Sequence, residues 1–148
     1  MLPKDDDAKR LKDQTLLLEE FLVQHAPRFA APAITRKAIV HGHCHAKSVL
    51  GFDKQKKLFD EVGLDYTILD SGCCGMAGAF GYEKGEHYSV SIASGERVLL
   101  PAVRGAADDT LIVADGFSCR EQIQQTTSRH AVHLAELLAM GLERRRHE

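Results

Sequence analysis

No apolar run in this chain approaches the roughly 18 residues that a membrane-spanning helix needs. Positive charge is not in excess, since 19 Lys and Arg stand against 21 Asp and Glu, so there is no electrostatic case for nucleic acid. The basic run Arg144-Arg145-Arg146 is expected to be a solvated end. Asp5-Asp6-Asp7 stands where a signal peptide would carry its apolar stretch. Internal repeats and low-complexity segments are lacking. A length of 148 residues suits one compact domain and leaves no room for a second independent one. Cysteine occurs four times, with two of the four adjacent, which fits metal or redox chemistry in a reducing compartment better than a secreted disulfide scaffold. Together these absences predict a soluble, non-secreted, cytoplasmic protein.

What the chain does carry is Ser71-Gly72-Cys73-Cys74-Gly75-Met76-Ala77-Gly78-Ala79-Phe80-Gly81. Adjacent cysteines in a glycine-rich loop are hard to justify as packing, because neighbouring side chains there rarely both point into a core. The glycines indicate a backbone that bends tightly or comes close to something. Their spacing is not that of a dinucleotide fingerprint opening a helix after a strand.

Around this loop the apolar pattern reads as alternating helices and strands. Leu11, Thr15, Leu18 and Leu22 recur at helical spacing and predict one helix from Asp5 to about Gln24, with an apolar stripe that must dock on something. The stretch from Ala26-Pro27 to Pro32-Ala33 breaks it. A β-prone segment, Arg36 to His41, leads into Gly42-His43-Cys44-His45. Asp53 is placed to cap a helix carrying Leu58, Phe59 and Val62, with Gly63 at its C-terminal turn. A second strand, Tyr66 to Leu69, runs straight into the double-cysteine loop. Helical spacing returns from Glu83 to about Leu100 and ends near Pro101. Thr110 to Ala114 is an unbroken apolar run, as in a strand covered on both faces. Ser118 and Glu121 have capping-box spacing, which puts Cys119 in the first turn of a helix. A short edge strand at Ala131-Val132 and a helix from about Leu134 to Leu142 close the chain.

This order predicts an α/β fold, a small parallel sheet of three to four strands with helices on its faces. Cys44, the Cys73–Cys74 pair and Cys119 each follow one of three strands. In a parallel sheet the loops leaving the strands' C-terminal ends share one edge, where open α/β folds hold their ligands. Thiols separated by 28 and 44 residues are therefore expected to converge. Four thiolates suit zinc or an iron–sulfur cluster. A helix N-terminus favours the thiolate, so the pKa of Cys119 is expected to fall. His41, His43 and His45 are candidates for alternative ligands or for donors that support the ligands from behind, and they share one side of the backbone if the strand runs that far. Cys73 and Cys74 as an exchangeable redox pair is a further alternative, though neighbouring cysteines bond only through a strained ring.

Three blocks of sequence carry a family resemblance. His43-Cys44-His45 with Lys47, then Gly72-Cys73-Cys74-Gly75-Met76-Ala77-Gly78 with Phe80-Gly81-Tyr82, then Ser118-Cys119-Arg120-Glu121-Gln122-Ile123 occur in that order. They resemble the cysteine-rich CCG domain that is found in heterodisulfide reductase, in the iron–sulfur subunits of glycolate oxidase and anaerobic glycerol-3-phosphate dehydrogenase, and at the C-terminus of FAD-linked oxidases such as the D-2-hydroxy acid dehydrogenases. The blocks cover residues 37–142, and the lead-in helix resembles the stretch before the last such domain in the oxidases. The resemblance implies a lead-in helix and linker at 1–33 and a CCG-type domain at 34–148.

It also implies that Cys44, Cys73, Cys74 and Cys119 hold an iron–sulfur cluster, of 4Fe-4S type, or in some members zinc. The domain would be non-catalytic alone and would pass electrons between a flavin enzyme and an acceptor. FAD would reside on a partner domain or subunit, beside a ferredoxin-like one, and any contact with the cytoplasmic face of a membrane would be made through that partner. Members with the full motif end in Cys-x-x-Cys, whereas Gly116 stands at the earlier position here. That removes a fifth ligand and favours an ordinary four-thiolate or zinc site. The short chain further implies a fragment or a small subunit.

Overall fold

A computed structural model describes residues 4–147. Its strands are β1 (Lys37–His41), β2 (Asp65–Ile68), β3 (Leu111–Ala114) and β4 (Ala131–Val132). Its helices are α1 (Asp6–Gln14), α2 (Leu18–His25), α3 (Cys44–Leu50), α4 (Asp53–Glu61), α5 (Glu86–Gly95), α6 (Leu99–Gly105), α7 (Phe117–Thr126) and α8 (Leu134–His147). The strands form one parallel sheet in the order β2-β1-β3-β4. The expected α/β class, with a strand at Ala131-Val132 on the sheet's edge, is the observed one.

Alternation along the two central strands sorts their side chains into two cores. Ala38 and Val40 of β1 and Leu111 and Val113 of β3 join Leu58 and Phe59 of α4 and Leu134, Leu137 and Leu138 of α8. Ile112 and Ala114 of β3 join Leu99, Leu100 and Val103 of α6 and Cys119 and Ile123 of α7, with Ile39 packed against them. Because helices cover both faces, all four residues of β3 are buried, which is why its sequence does not alternate.

Several local expectations are corrected. The single helix at 5–24 is two helices, because Thr15 to Leu17 leaves the helical path and Glu20 accepts the Leu17 N–H at 2.9 Å to start α2. The apolar stripe is divided accordingly. Leu22 packs on the core while α1 buries nothing and Leu11 stays 68% exposed. Pro101 ends no helix but is the third residue of α6, in the first turn, where backbone N–H groups lack intrahelical partners. The residue before α4 is Phe52, with Asp53 its first helical residue and no side-chain cap; Gly63, at φ +68°, does turn the chain after it. Gly116, not Ser118, precedes α7, and no side chain caps it. The Arg144–Arg146 run is exposed, as expected of a solvated end, and forms the last part of α8, where Arg145 donates to the carbonyls of Ala30 and Ala31 and Arg144 to Thr35 Oγ1.

Candidate metal centre

Leaving β1, the chain turns out to β2 on one side, then crosses back to β3 on the other. The gap between the C-terminal ends of β1 and β3 is therefore the point where the winding direction reverses, and ligands of open α/β sheets gather at such points. Cys44 opens α3 immediately after β1, and Cys119 is the third residue of α7 after β3. Cys73 and Cys74 lie in the loop that follows β2. All four are free thiols, with Cys74 and Cys119 buried and Cys44 and Cys73 half-buried.

The adjacent pair is not a mutual pair. Cys73 interacts with Cys44, and Cys74 with Cys119, so each neighbouring thiol has a partner brought in by another segment. Cys44 and Cys73 also act electrostatically on Cys119, which brings all four sulfurs into one neighbourhood.

The double-cysteine loop is pinned from behind. Gly75 adopts φ +96° with its Cα against the backbone of Ser91 in α5, and its N–H donates to Cys73 Sγ at 3.3 Å. The fully buried Gln122 amide of α7 donates to Cys74 O at 3.1 Å, Ser91 O at 3.2 Å and Ser91 Oγ at 3.1 Å. Gln122 thus ties the Cys74 backbone, α5 and the Cys119-bearing helix to one side chain. Nothing in the sequence marks it for this role, since a polar residue in an amphipathic helix carries no signal of burial.

His41 is the histidine that joins the thiols. β1 ends at His41, so the alternation expected to group it with His43 and His45 stops there. Its own parity matches Ile39, which packs on the α6–α7 core containing Cys74 and Cys119. His41 is 1% exposed, its Nδ1 lies 2.6 Å from Ser71 Oγ, and its Nε2 has no hydrogen-bond partner. A ring nitrogen of His41 and the sulfurs of Cys74 and Cys119 lie within 4.8 Å of one another, all buried. His43 is half-buried beside Gly116, and His45 is exposed.

The thiols divide their protons unequally. The hydrogen bond donated by Cys119 lowers the Cys74 pKa to about 4 against the opposing effect of burial. Cys119 moves the other way, since it donates to Cys74 and is itself buried beside that negative charge. The helix-end effect expected to acidify Cys119 is thus outweighed by a neighbouring thiolate. Burial, as the largest cause, raises Cys73.

A pH dependence follows for the reduced, metal-free protein. Between about 4 and the ordinary thiol value near 9, the folded state binds fewer protons at Cys74 than the unfolded state, so stability rises with pH. Above that range the retained Cys119 proton reverses the sign. Urea midpoints measured from about pH 5 to about pH 8 should rise, in the direction set by the lowered Cys74 pKa. Cys74→Ser should reduce that rise, and equal slopes in the two proteins would contradict the shared proton.

Comparison with known proteins adds an independent observation. The chain is 31% identical over 140 residues to one subunit of the anaerobic glycerol-3-phosphate dehydrogenase of Escherichia coli strain K12, spanning 92% of this chain and 35% of that protein. These proteins are homologous. The chain is also 26% identical over 133 residues to D-2-hydroxyglutarate dehydrogenase of Pseudomonas putida, covering 88% of this chain and 13% of that protein. The chain thus spans about a third or less of the length of these curated relatives. No family model matches it, and no solved structure matches it significantly. No helix among the described residues is long and apolar enough to cross a membrane.

Proposed function

We propose that this chain is an electron-transfer domain of a flavin-linked oxidoreductase, with Cys44, Cys73, Cys74 and Cys119 holding an iron–sulfur cluster of 4Fe-4S type. The observation that carries the reading is the gathering of four free thiols at one edge of the sheet. Similarity to a subunit of one dehydrogenase and to part of another supports it. The donor set fits the group, because thiolates are the usual ligands of iron–sulfur clusters and a buried imidazole nitrogen beside them lacks a partner.

When bound, such a cluster accepts and releases single electrons. The chain's own residues set the conditions for this. Cys74 and Cys119 are shielded from water, while Cys44 and Cys73 form the more accessible rim through which a partner would exchange electrons. The Gly75 N–H on Cys73 Sγ stabilises negative charge on that sulfur and so favours the reduced state of anything it ligates. Exposed Phe117, Val49 and Leu50 lie on the elements that carry Cys119 and Cys44, apolar surface suited to a partner that brings FAD or a ferredoxin-like centre. The electrons would originate from a D-2-hydroxy acid such as lactate, glycolate or 2-hydroxyglutarate, oxidised by the flavin partner. The unit would comprise a lead-in at 1–33 and a CCG-type domain at 34–148, act in the cytoplasm, and reach the cytoplasmic face of a membrane only through its partner.

One observation favours a second reading, a structural zinc site for subunit docking. Zinc–sulfur bonds are about 2.3 Å long, so the ligands of one ion lie close together, as His41, Cys74 and Cys119 do. Anaerobic purification followed by iron, sulfide and zinc determinations on one sample separates the two. The first reading expects iron and labile sulfide, lost on changing any of the four cysteines to serine. Stoichiometric zinc without sulfide would establish the second, and a protein that takes up neither would end both.

A further inference from the structure

We propose that His41 is itself a ligand of the centre, coordinating through Nε2, so that the site is a mixed thiolate–imidazole centre. This rests on the reading of the four thiols as a metal site, whichever metal occupies it. Three observations converge on it. First, His41 Nε2 is a buried side-chain nitrogen with no partner, the only such buried N or O atom among the described residues. An unsatisfied buried polar atom is costly and persists where something absent from the protein atoms completes it.

Second, the other ring nitrogen is already engaged. Nδ1 lies 2.6 Å from the buried Ser71 Oγ. With Nδ1–H donating to that oxygen, Nε2 keeps its lone pair, the tautomer that a metal-binding imidazole needs. An outer partner on the distal nitrogen is the usual way of orienting such a ligand. Ser71 is therefore a positioning residue, and it stands two positions before Cys73 on the same loop.

Third, the neighbours of His41 are soft donors. It is grouped with Cys74 and Cys119 within 4.8 Å, on the side of the sheet where α7 presents Cys119. His43 and His45, which flank Cys44 more closely in sequence, are not part of this group. As a ligand, His41 would take the place of one of the four thiolates, which makes the centre less negative and raises its potential relative to an all-thiolate one.

Cadmium(II) serves as the probe, because it binds thiolate and imidazole sites and can be observed directly by its own nuclear resonance. The full chain, purified under reducing conditions with 15N-labelled histidine, is loaded with 113Cd. One-bond coupling of the metal to a single imidazole nitrogen is expected, and it should vanish in His41→Gln. If cadmium binds with no nitrogen coupling, His41 is not a ligand and the inference falls while the metal site stands. If neither cadmium, zinc nor reconstituted iron and sulfide binds the wild-type chain, the underlying reading falls with it.

Affinity gives a second readout. Ser71→Ala should weaken binding by roughly 10- to 100-fold, the effect of losing an outer partner, and His41→Gln should weaken it more. Equal losses in the two variants would reduce His41 to an outer partner and overturn its assignment as a ligand. Circular dichroism of each variant confirms that the fold is retained, and the coupling experiment on the wild-type chain needs no variant.

Discussion

Gly75→Ala is expected to cost about 3 kcal/mol or more of stability and to abolish metal uptake. At φ +96° the backbone of Gly75 is in a region that other residues reach only under strain. A Cβ there would also lie 2.1 Å from Ser91 O and 2.9 Å from Ser91 C. Helix backbone at the buried Ser91 cannot move aside as the end of a flexible side chain can, and the two penalties act together. Ser91 O and Cys74 O are both held by Gln122, so displacing α5 displaces Cys74 as well. Urea denaturation and metal analysis on the same preparation test this. A variant with wild-type midpoint and full metal content would show that the loop is not held against α5. Gly72→Ala provides the contrast: φ is +59° but no atom lies within 4 Å of the added Cβ, so about 1 kcal/mol of backbone strain is expected.

The second large effect is expected at Gly116, where the loss should fall on the metal rather than on the fold. Gly116 has an ordinary φ of −67°, so alanine brings no backbone strain. Its Cβ would lie 2.6 Å from His43 Cδ2 and 2.9 Å from Cys119 Sγ. Both overlaps must be relieved, and while His43 is half-buried, Cys119 is enclosed in the core. Gly116→Ala should therefore weaken metal binding about 10- to 100-fold, the range for disturbed support of a ligand, with a smaller change in thermal midpoint. Gly116→Cys restores the Cys-x-x-Cys pattern and introduces the same overlap, so it too should bind less metal. More metal per chain in Gly116→Cys than in the wild type would mean that position 116 is a vacant ligand position and not a place kept clear for Cys119.

The alternation of strands and helices was legible because it rests on local periodicity, and so was the placement of each cysteine after a strand. Convergence followed from topology alone, since parallel strands deliver their C-terminal loops to one edge. Three features were not legible, each because it depends on contacts between distant segments. The break at Thr15 to Leu17 is fixed by Glu20, which also pairs with Lys54 of α4 at 2.7 Å. The acidity of Cys74 is set by Cys119, 45 positions further along. At Cys119 the helix end is the smaller force beside the neighbouring Cys74 and burial. In sequence His41 is one of three alternating histidines, and the fold sets it apart by bringing it, with the parity of Ile39, to the side of Cys74 and Cys119.

The placement of the four thiols on three separate segments also bears on the unfolded chain. Metal that binds Cys44, Cys73, Cys74 and Cys119 together closes loops of 28 and 44 residues, whereas an unloaded chain leaves both free. Cross-links across loops of this length restrict an unfolded ensemble substantially, and the cost of closure grows only slowly with further length. The centre would then act in polymer terms as a reversible knot, removing conformations from the denatured state as well as adding bonds to the native one.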